Sequence, residues 1–334
     1  MHRQHAHTYS TSDFTVGEAS YNNEQSSKEC PQVGCTLFRY LRPTRCVIDK
    51  LGGAVGTYFG DPLDVFSSDP EECNKVDALC FSGGSLHGLI AVGGVAEAMA
   101  KENIDRNIKV KNMYSIPVVR GAITFSGAWG KVPEWKPPDS ALGKLALSNA
   151  VGRTVRFGQH GAGSNAEVGS IQTGDYGVEG GQGAYCDTNE NGIYCAVYCN
   201  LNAKGVVLGM DGSLLYGPRL EKEKGRNVGN QFRSTNILVH TNAKCKSIDL
   251  MRQLARQVHV SMSRVISPYS AHSDGDVLFL TSSEEKEVED TVSVGVFFSK
   301  CLQKAVYAMV GYYLNGLDGA PIEALKSKNK GLKM

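Results

Sequence analysis

Glu221-Lys222-Glu223-Lys224-Gly225-Arg226-Asn227 is a loop-forming run of charges. A few residues later the chain turns into Ser234-Thr235-Asn236-Ile237-Leu238-Val239-His240. The second stretch is β-branched and apolar and reads as a strand that opens on two hydroxyl residues. A charged loop running into such a strand is where a processing site can sit, although the pattern alone occurs widely. Further on comes Asp274-Gly275-Asp276. In extended backbone an i, i+2 pair puts both carboxylates on one face, and glycine between them permits close approach. Read locally, Asp-Gly is equally a turn signal.

Working outward, residues 150–232 read as β and loop, with Ala196–Leu201 and Gly205–Leu208 as strands and Asn202-Ala203-Lys204-Gly205 turning between them. Ser247 caps a helix whose apolar face is Ile248, Met251, Leu254, Val258 and Met262. Val277–Thr281 is a further strand, and Val292–Leu314 a last helix stopped by Gly316. Toward the N-terminus, Ser85–Ile104 carries small and apolar residues at helical spacing behind Gly83-Gly84, and residues 51–62 form a turn-rich loop. Residues 1–28 are rich in Ser, Thr, Asn and His and are expected to be a flexible arm before a single domain spanning 29–334.

Composition excludes several classes. The 334 residues carry a formal charge of +1 with acids and bases intermixed, which gives no electrostatic reason to expect nucleic acid or anionic lipid as a partner. The 38 glycines are dispersed rather than periodic. Ten cysteines show no paired CxxC spacing, so no structural metal site is expected; several lie in apolar runs, and they read as reduced thiols of a cytoplasmic protein. Residues 292–314 are interrupted by Lys300, Gln303 and Lys304, which suits a buried amphipathic helix better than a membrane span, and the first residues carry no apolar signal segment. The G-x-S-x-G, H-E-x-x-H, G-x-x-x-x-G-K-[ST] and strand-following G-x-G-x-x-G motifs are all missing. What remains is an internal hydroxyl with acids downstream. His87, at a helix start, reads as a packed or capping residue. His259 falls off the apolar stripe and reads as solvated or bonded to a neighbouring chain.

An ordered set of short motifs adds to this. It comprises Val33-Gly34-Cys35; Gly52-Gly53-Ala54-Val55-Gly56-Thr57 with Asp61-Pro62; Ser82-Gly83-Gly84-Ser85-Leu86-His87-Gly88-Leu89; Ile116-Pro117-Val118-Val119; Gly161-Ala162-Gly163; Asn202-Ala203-Lys204-Gly205; Ser234-Thr235; Thr241-Asn242; and Asp274-Gly275-Asp276-Val277-Leu278-Phe279. Together they resemble the L-aminopeptidase/D-esterase family, which includes β-aminopeptidases. The run Gln257-Val258-His259-Val260-Ser261-Met262-Ser263-Arg264 is nearest to its nylon-oligomer hydrolase branch.

The resemblance implies an α/β fold, a four-layer α-β-β-α sandwich of the N-terminal-nucleophile and ornithine-acetyltransferase type. It also implies a precursor cut before Ser234 into a large subunit 1–233 and a small subunit 234–334, which stay associated. Ser234 is then the nucleophile of an amide hydrolase acting on short peptides or ω-amino-acid oligomers, its own α-amine serving as base. Asn202 stabilises the oxyanion, and Asp274 and Asp276 orient the nucleophile. Ser82 and Ser85 match a substrate-pocket wall, no cofactor is needed, and the family forms homo-oligomers, typically tetramers. Three positions depart from the pattern. Phe125 stands where the family has tyrosine, Ser170 where nylon hydrolases have lysine, and Arg233 where the residue before the cut is usually Asn or Gly. Thr235 is the nucleophile if the match slips by one. These departures leave room for an unprocessed structural homologue, and the same fold also supports acyl transfer.

Overall fold

The computed structural model describes residues 6–21, 33–60, 74–110, 112–126, 136–170, 177–218 and 232–315. Nine strands share one hydrogen-bonded sheet. They are β1 (Phe14–Tyr21), β2 (Val33–Leu51), β3 (Thr57–Tyr58), β4 (Lys75–Ser82), β5 (Val119–Ile123), β6 (Gly181–Thr188), β7 (Tyr194–Asn202), β8 (Ser234–Lys244) and β9 (Asp276–Glu287). The order is β6-β7-β8-β9-β2-β4-β5-β3, with β1 on β2.

The sheet cannot be flat. Along it, β4 and β7 are four strand spacings apart, roughly 19 Å. Yet the rings of Phe81 on β4 and Tyr198 on β7 stack with centroids 5.3 Å apart, and Phe81 also meets Phe279 on β9 at 5.7 Å. The sheet therefore folds over on itself. The 19-residue β2 makes the bend: its first half pairs with β1, its second half with β9, and its register against β4 shifts between Arg39 and Thr44.

Two stacked sheets with both outer faces covered predict strands buried on both sides, and alternation along each strand shows them. On β7, Tyr194, Ala196 and Tyr198 point into the core between the sheets, while Cys195, Val197, Cys199 and Leu201 join a second core. That second core packs on helices α3 (Ile248–Val260) and α4 (Thr291–Asn315). On β4, Leu79 and Phe81 face the inter-sheet core, and Ala78 and Cys80 face a third core under α1 (Gly88–Asp105) and α2 (Ser140–Ser148). The layers are thus helix, sheet, sheet, helix, as expected. Each half holds one parallel crossover, β4–α1–β5 and β8–α3–β9.

Local chemistry places the helices. Ser247 caps α3 by accepting from Leu250 N–H at 3.2 Å, and Asp139 caps α2 by accepting from Leu142 N–H at 2.9 Å. The α1–α2 contact is close enough that a Cβ on Gly143 would lie 1.9 Å from the Ala91 carbonyl oxygen, so only glycine fits there. Among the described residues all eight cysteines are free, and no helix is long and apolar enough to cross a membrane. Gly316, the expected stop of α4, lies outside the described residues.

The expected flexible arm over 1–28 is corrected for residues 6–21, the part of it that lies among the described residues. Residues Ala6–Thr8 pair with Thr154–Arg156, and β1 pairs with β2 along its whole length. Tyr9, Phe14, Val16 and Ala19 are buried, with Phe14 packed edge-on against Tyr9, Phe38 and Tyr40. The apolar side chains of this segment find their partners on distant strands. If the N-terminal segment is core, Phe14→Ala should cost about 3–5 kcal/mol in chemical denaturation. An arm with no structural part would leave the midpoint unchanged.

Candidate active site

Strand alternation decides which hydroxyl at the start of β8 faces the inter-sheet space. Ile237 and Val239 pack toward α3 and α4, and Leu238 packs toward the opposite sheet. With a period of two, Ser234 and Asn236 share the face of Leu238, and Thr235 points to the helix side. Partners agree. Ser234 Oγ donates to the Ile123 carbonyl at 3.2 Å and accepts from Phe125 N–H at 3.1 Å, both from the end of β5 in the other half of the sheet. Thr235 N–H donates to Asp276 Oδ1 at 2.8 Å. Ser234 is 1 % exposed.

Asn202 lies directly opposite Ser234 in the β7–β8 register, and Asn200 opposite Asn236. The Asn202 side chain is fully engaged in this unbroken chain. Its Nδ2 donates to Phe125 O at 3.0 Å, and its Oδ1 accepts from Glu167 N–H at 3.0 Å. Asn236 Nδ2 reaches Ile123 O and Thr124 Oγ1, each at 3.1 Å, and Asn200 Nδ2 reaches Thr124 Oγ1 at 2.7 Å and Ala162 O at 2.9 Å. This lattice fixes residues 123–125 against β7 and β8.

The peptide between Arg233 and Ser234 is also held. Arg233 N–H donates to Ser273 O at 3.0 Å, and Gly275 N–H donates to Arg233 O at 2.8 Å. A Cβ on Gly275 would fall 2.2 Å from the Ala54 carbonyl oxygen, which is why glycine separates the two aspartates. Ala54 N–H in turn donates to Asp274 O at 3.0 Å, so the Gly52-Gly53-Ala54 motif forms the back of this turn. A turn and an acid pair are both present here.

Both carboxyls are buried. Burial raises Asp274 to about 6, against the lowering pull of the Lys204 N–H, the Lys204 charge and the Arg233 charge. Burial, with the Asp274 charge adding to it, raises Asp276 to about 7. Asp276 Oδ2 accepts from Ser270 N–H at 3.1 Å, and Asp274 Oδ1 has no hydrogen-bond partner among the described residues. Neither acid is bonded to Ser234 Oγ; Asp276 reaches that strand through the Thr235 N–H.

The remaining expected positions sort as follows. Phe125 offers its main chain, N–H to Ser234 and carbonyl to Asn202, while its ring packs on Phe232 at 5.5 Å. Ser82 and Ser85 support the same loop: Thr124 N–H donates to Ser82 O at 2.7 Å, and Ser85 N–H donates to Thr124 O at 3.0 Å. Ser170 is buried directly after Gly169, whose N–H donates to Ala203 O at 3.1 Å. His87 is the N-cap residue of α1 without a side-chain cap bond. His259 is corrected: it is fully buried, with Nδ1 2.7 Å from Asp49 Oδ2, and burial lowers its pKa. Sequence reasoning missed Lys204 and Glu167. Lys204 lay inside a quoted motif but read as a turn residue, and Glu167 carries no local signal at all.

Peptidase family S58 matches this chain over residues 58–320. A 6-aminohexanoate-oligomer endohydrolase of Paenarthrobacter ureafaciens is 26 % identical over 293 residues, 83 % of this chain and 75 % of that protein. An uncharacterized aminopeptidase of Mycobacterium bovis is 27 % identical over 298 residues, 79 % of this chain and 81 % of its own length. Among solved structures, the L-aminopeptidase D-Ala-esterase/amidase of Ochrobactrum anthropi, described as a variant of the Ntn hydrolase fold, superposes with a TM-score of 0.66 at 14 % identity, over 96 % of this chain and 92 % of its own.

The acids make stability depend on pH in a stated direction. A carboxyl whose folded pKa lies above its unfolded value stabilises the fold fully below the unfolded pKa, and that contribution is lost as pH rises through the folded pKa. For Asp274 the window runs from the ordinary 3.8 to about 6. In a Ser234→Ala chain, adding Asp274→Asn should therefore become progressively more favourable, relative to Ser234→Ala alone, between pH 4 and pH 7. The change should be on the order of 2 kcal/mol. Urea denaturation of both chains at each pH reads it; a difference independent of pH would mean that Asp274 is not held protonated by burial.

Proposed function

The chain belongs to peptidase family S58 and is an amide-bond hydrolase, and on that premise we propose that it cuts its own Arg233–Ser234 bond and then works through Ser234 as an N-terminal nucleophile. The observation that carries the reading is the peptide at that bond. Its carbonyl is held by Gly275 N–H, its following hydroxyl lies on the inter-sheet face, and two buried carboxyls flank it.

In self-processing, Ser234 Oγ adds to the Arg233 carbonyl carbon. Negative charge then develops on the oxygen that Gly275 N–H already contacts, a placement of the kind typically worth about 3–4 kcal/mol in acyl transfer. The C–N bond breaks, and the Ser234 nitrogen leaves with the proton that Oγ surrendered. Water cleaves the resulting ester and returns a proton to Oγ. The products are a carboxylate on Arg233 and a free α-amine on Ser234. In turnover that amine takes the Oγ proton, Oγ attacks the substrate amide, and the amine passes the proton to the leaving group; water, giving a proton to the amine, then cleaves the acyl-enzyme ester, and the amine returns the proton to Oγ. Asp274 Oδ1, a buried acceptor, and Asp276 are the counter-charges for the amine whenever it is protonated. Asn202, opposite Ser234, becomes an oxyanion donor once its Nδ2 exchanges Phe125 O for the substrate oxygen.

The substrates suited to this chemistry are short peptides, β-peptides or ω-amino-acid oligomers, in keeping with the relatives' names. Unpaired cysteines suit a reducing, cytoplasmic setting, and a homo-oligomer with both fragments retained goes with the shared sheet.

Incubated protein should give two fragments by intact mass, the smaller beginning Ser-Thr-Asn-Ile on N-terminal sequencing. Ser234→Ala should abolish cleavage and amide hydrolysis, whereas Ser234→Thr or Cys should retain part of each. Activity should rise with pH as the α-amine deprotonates, near or below its ordinary ~8. A fragment starting at Thr235, or a full-length chain that hydrolyses amides, would remove Ser234 from its role.

A further inference from the structure

Arg233 departs from the family pattern, and its surroundings are built for it. The side chain is 8 % exposed, beside a site that otherwise buries acids. Its Nη2 pairs with Glu167 Oε2, and its Nε is buried with no hydrogen-bond partner among the described residues. Glu167 is anchored to the site through its own N–H, which donates to Asn202 Oδ1 at 3.0 Å. Its side chain is 32 % exposed, so it is reachable from solvent. The charged groups that act on this position are Glu167, Asp274 and, through Asp274, Lys204.

The chemistry links this pocket to turnover. The ester formed in self-processing joins the Arg233 carbonyl to Ser234 Oγ. A substrate acyl-enzyme has the same ester on the same oxygen, facing the same Gly275 N–H. The first acyl group this site carries is therefore arginyl, with its guanidinium on Glu167. Hydrolysis then leaves a new carboxylate on Arg233 beside Asp274 and Asp276, and like-charge repulsion favours its withdrawal. Withdrawal strips Glu167 of its partner, and a half-buried carboxylate without a partner favours any ligand that restores a cation.

We propose that the pocket holding the Arg233 side chain becomes the acyl-group subsite of the mature enzyme, where Glu167 selects amides with a guanidinium or ammonium one arginine side chain's length from the carbonyl. Arginyl and lysyl amides qualify. So do ω-aminoacyl amides, since the ω-ammonium of a 6-aminohexanoyl group ends between the Nε and Nη positions of an arginine hung on the same carbonyl. The inference rests on Ser234 being the nucleophile.

The test uses wild-type protein whose cleavage after Arg233 has been verified by mass, with the p-nitroanilides of arginine, lysine, norleucine and glutamate. The arginine and lysine compounds should exceed norleucine in kcat/KM by roughly ten-fold or more, the size of one charge-assisted pair, and glutamate should be the poorest. Agmatine should compete with the arginine compound, and 1-pentanol at the same concentration should not. In cleaved Glu167→Gln the arginine-to-norleucine ratio should fall toward one, and in Glu167→Lys glutamate should overtake arginine. Because Glu167 also seats Arg233 before the cut, a variant that stays uncleaved is replaced as evidence by the wild-type series and the agmatine competition, which need no substitution. Equal rates for arginine and norleucine, or a preference that survives Glu167→Gln, overturn the subsite while leaving the hydrolase reading standing. A chain cut at 233/234 that hydrolyses none of the four, nor any other amide, overturns the nucleophile assignment itself.

Discussion

Stacking two sheets with helices outside both leaves central strands no face toward water, so any polar side chain on the inner face has to find its partner across the gap. β8 puts Ser234 and Asn236 on that face, and β7 puts Asn200 and Asn202 there; together they meet Ile123, Thr124 and Phe125 at the end of β5. Each bond is ordinary alone. Collectively they fix the separation of the sheets at one end to hydrogen-bond distance, whereas the rest of the interface is spaced by aromatic rings such as Phe81, Tyr198 and Phe279. The Ser234 hydroxyl, held between a carbonyl and an N–H of another strand, is placed by that same constraint.

Charge is the second constraint. Asp274 and Asp276 are buried close to each other, and burial holds both well above the ordinary carboxylate range. The intact chain offsets Asp274 with Lys204 and Arg233, and Asp276 with hydrogen bonds from Thr235 and Ser270. Breaking the 233–234 bond creates one amine and one carboxylate at this spot. Under the proposed cut the amine would share the proton load of the acids, while the carboxylate would add to their repulsion.

Much of this was legible in sequence, for identifiable reasons. β7, β8, β9 and α4 announce themselves as long apolar runs, α3 by its apolar stripe, and Ser247 marks a helix start by its own hydroxyl. The Asp274–Asp276 pair was legible as a pair but not as to face: alternation from Leu278 and Leu280 puts Asp276 on the helix side, opposite Ser234. β1 was missed because Phe14-Thr15-Val16-Gly17-Glu18-Ala19-Ser20-Tyr21 sits in a polar, hydroxyl-rich stretch and gains its order only from β2 and from Phe38. His259 was misjudged because its burial depends on Asp49, far away in sequence. Glu167 was invisible for the same reason, since its meaning comes entirely from Arg233 and Asn202.

That last dependence changes how Arg233 is understood. Against the family pattern an arginine before Ser234 looks like an obstacle, because a long charged side chain must be buried next to a crowded hydroxyl. Burial indeed works against its charge, and the Glu167 and Asp274 charges hold it there. A residue at this position that had no such partner would be costly to bury, and a Glu167 with no cation would be costly to leave half-buried. The two are therefore best regarded as one device. The arginine fills the pocket in the intact chain, and under the proposed cut its withdrawal would leave that pocket shaped around a guanidinium and linked, through Asn202 and then Phe125, to Ser234 Oγ.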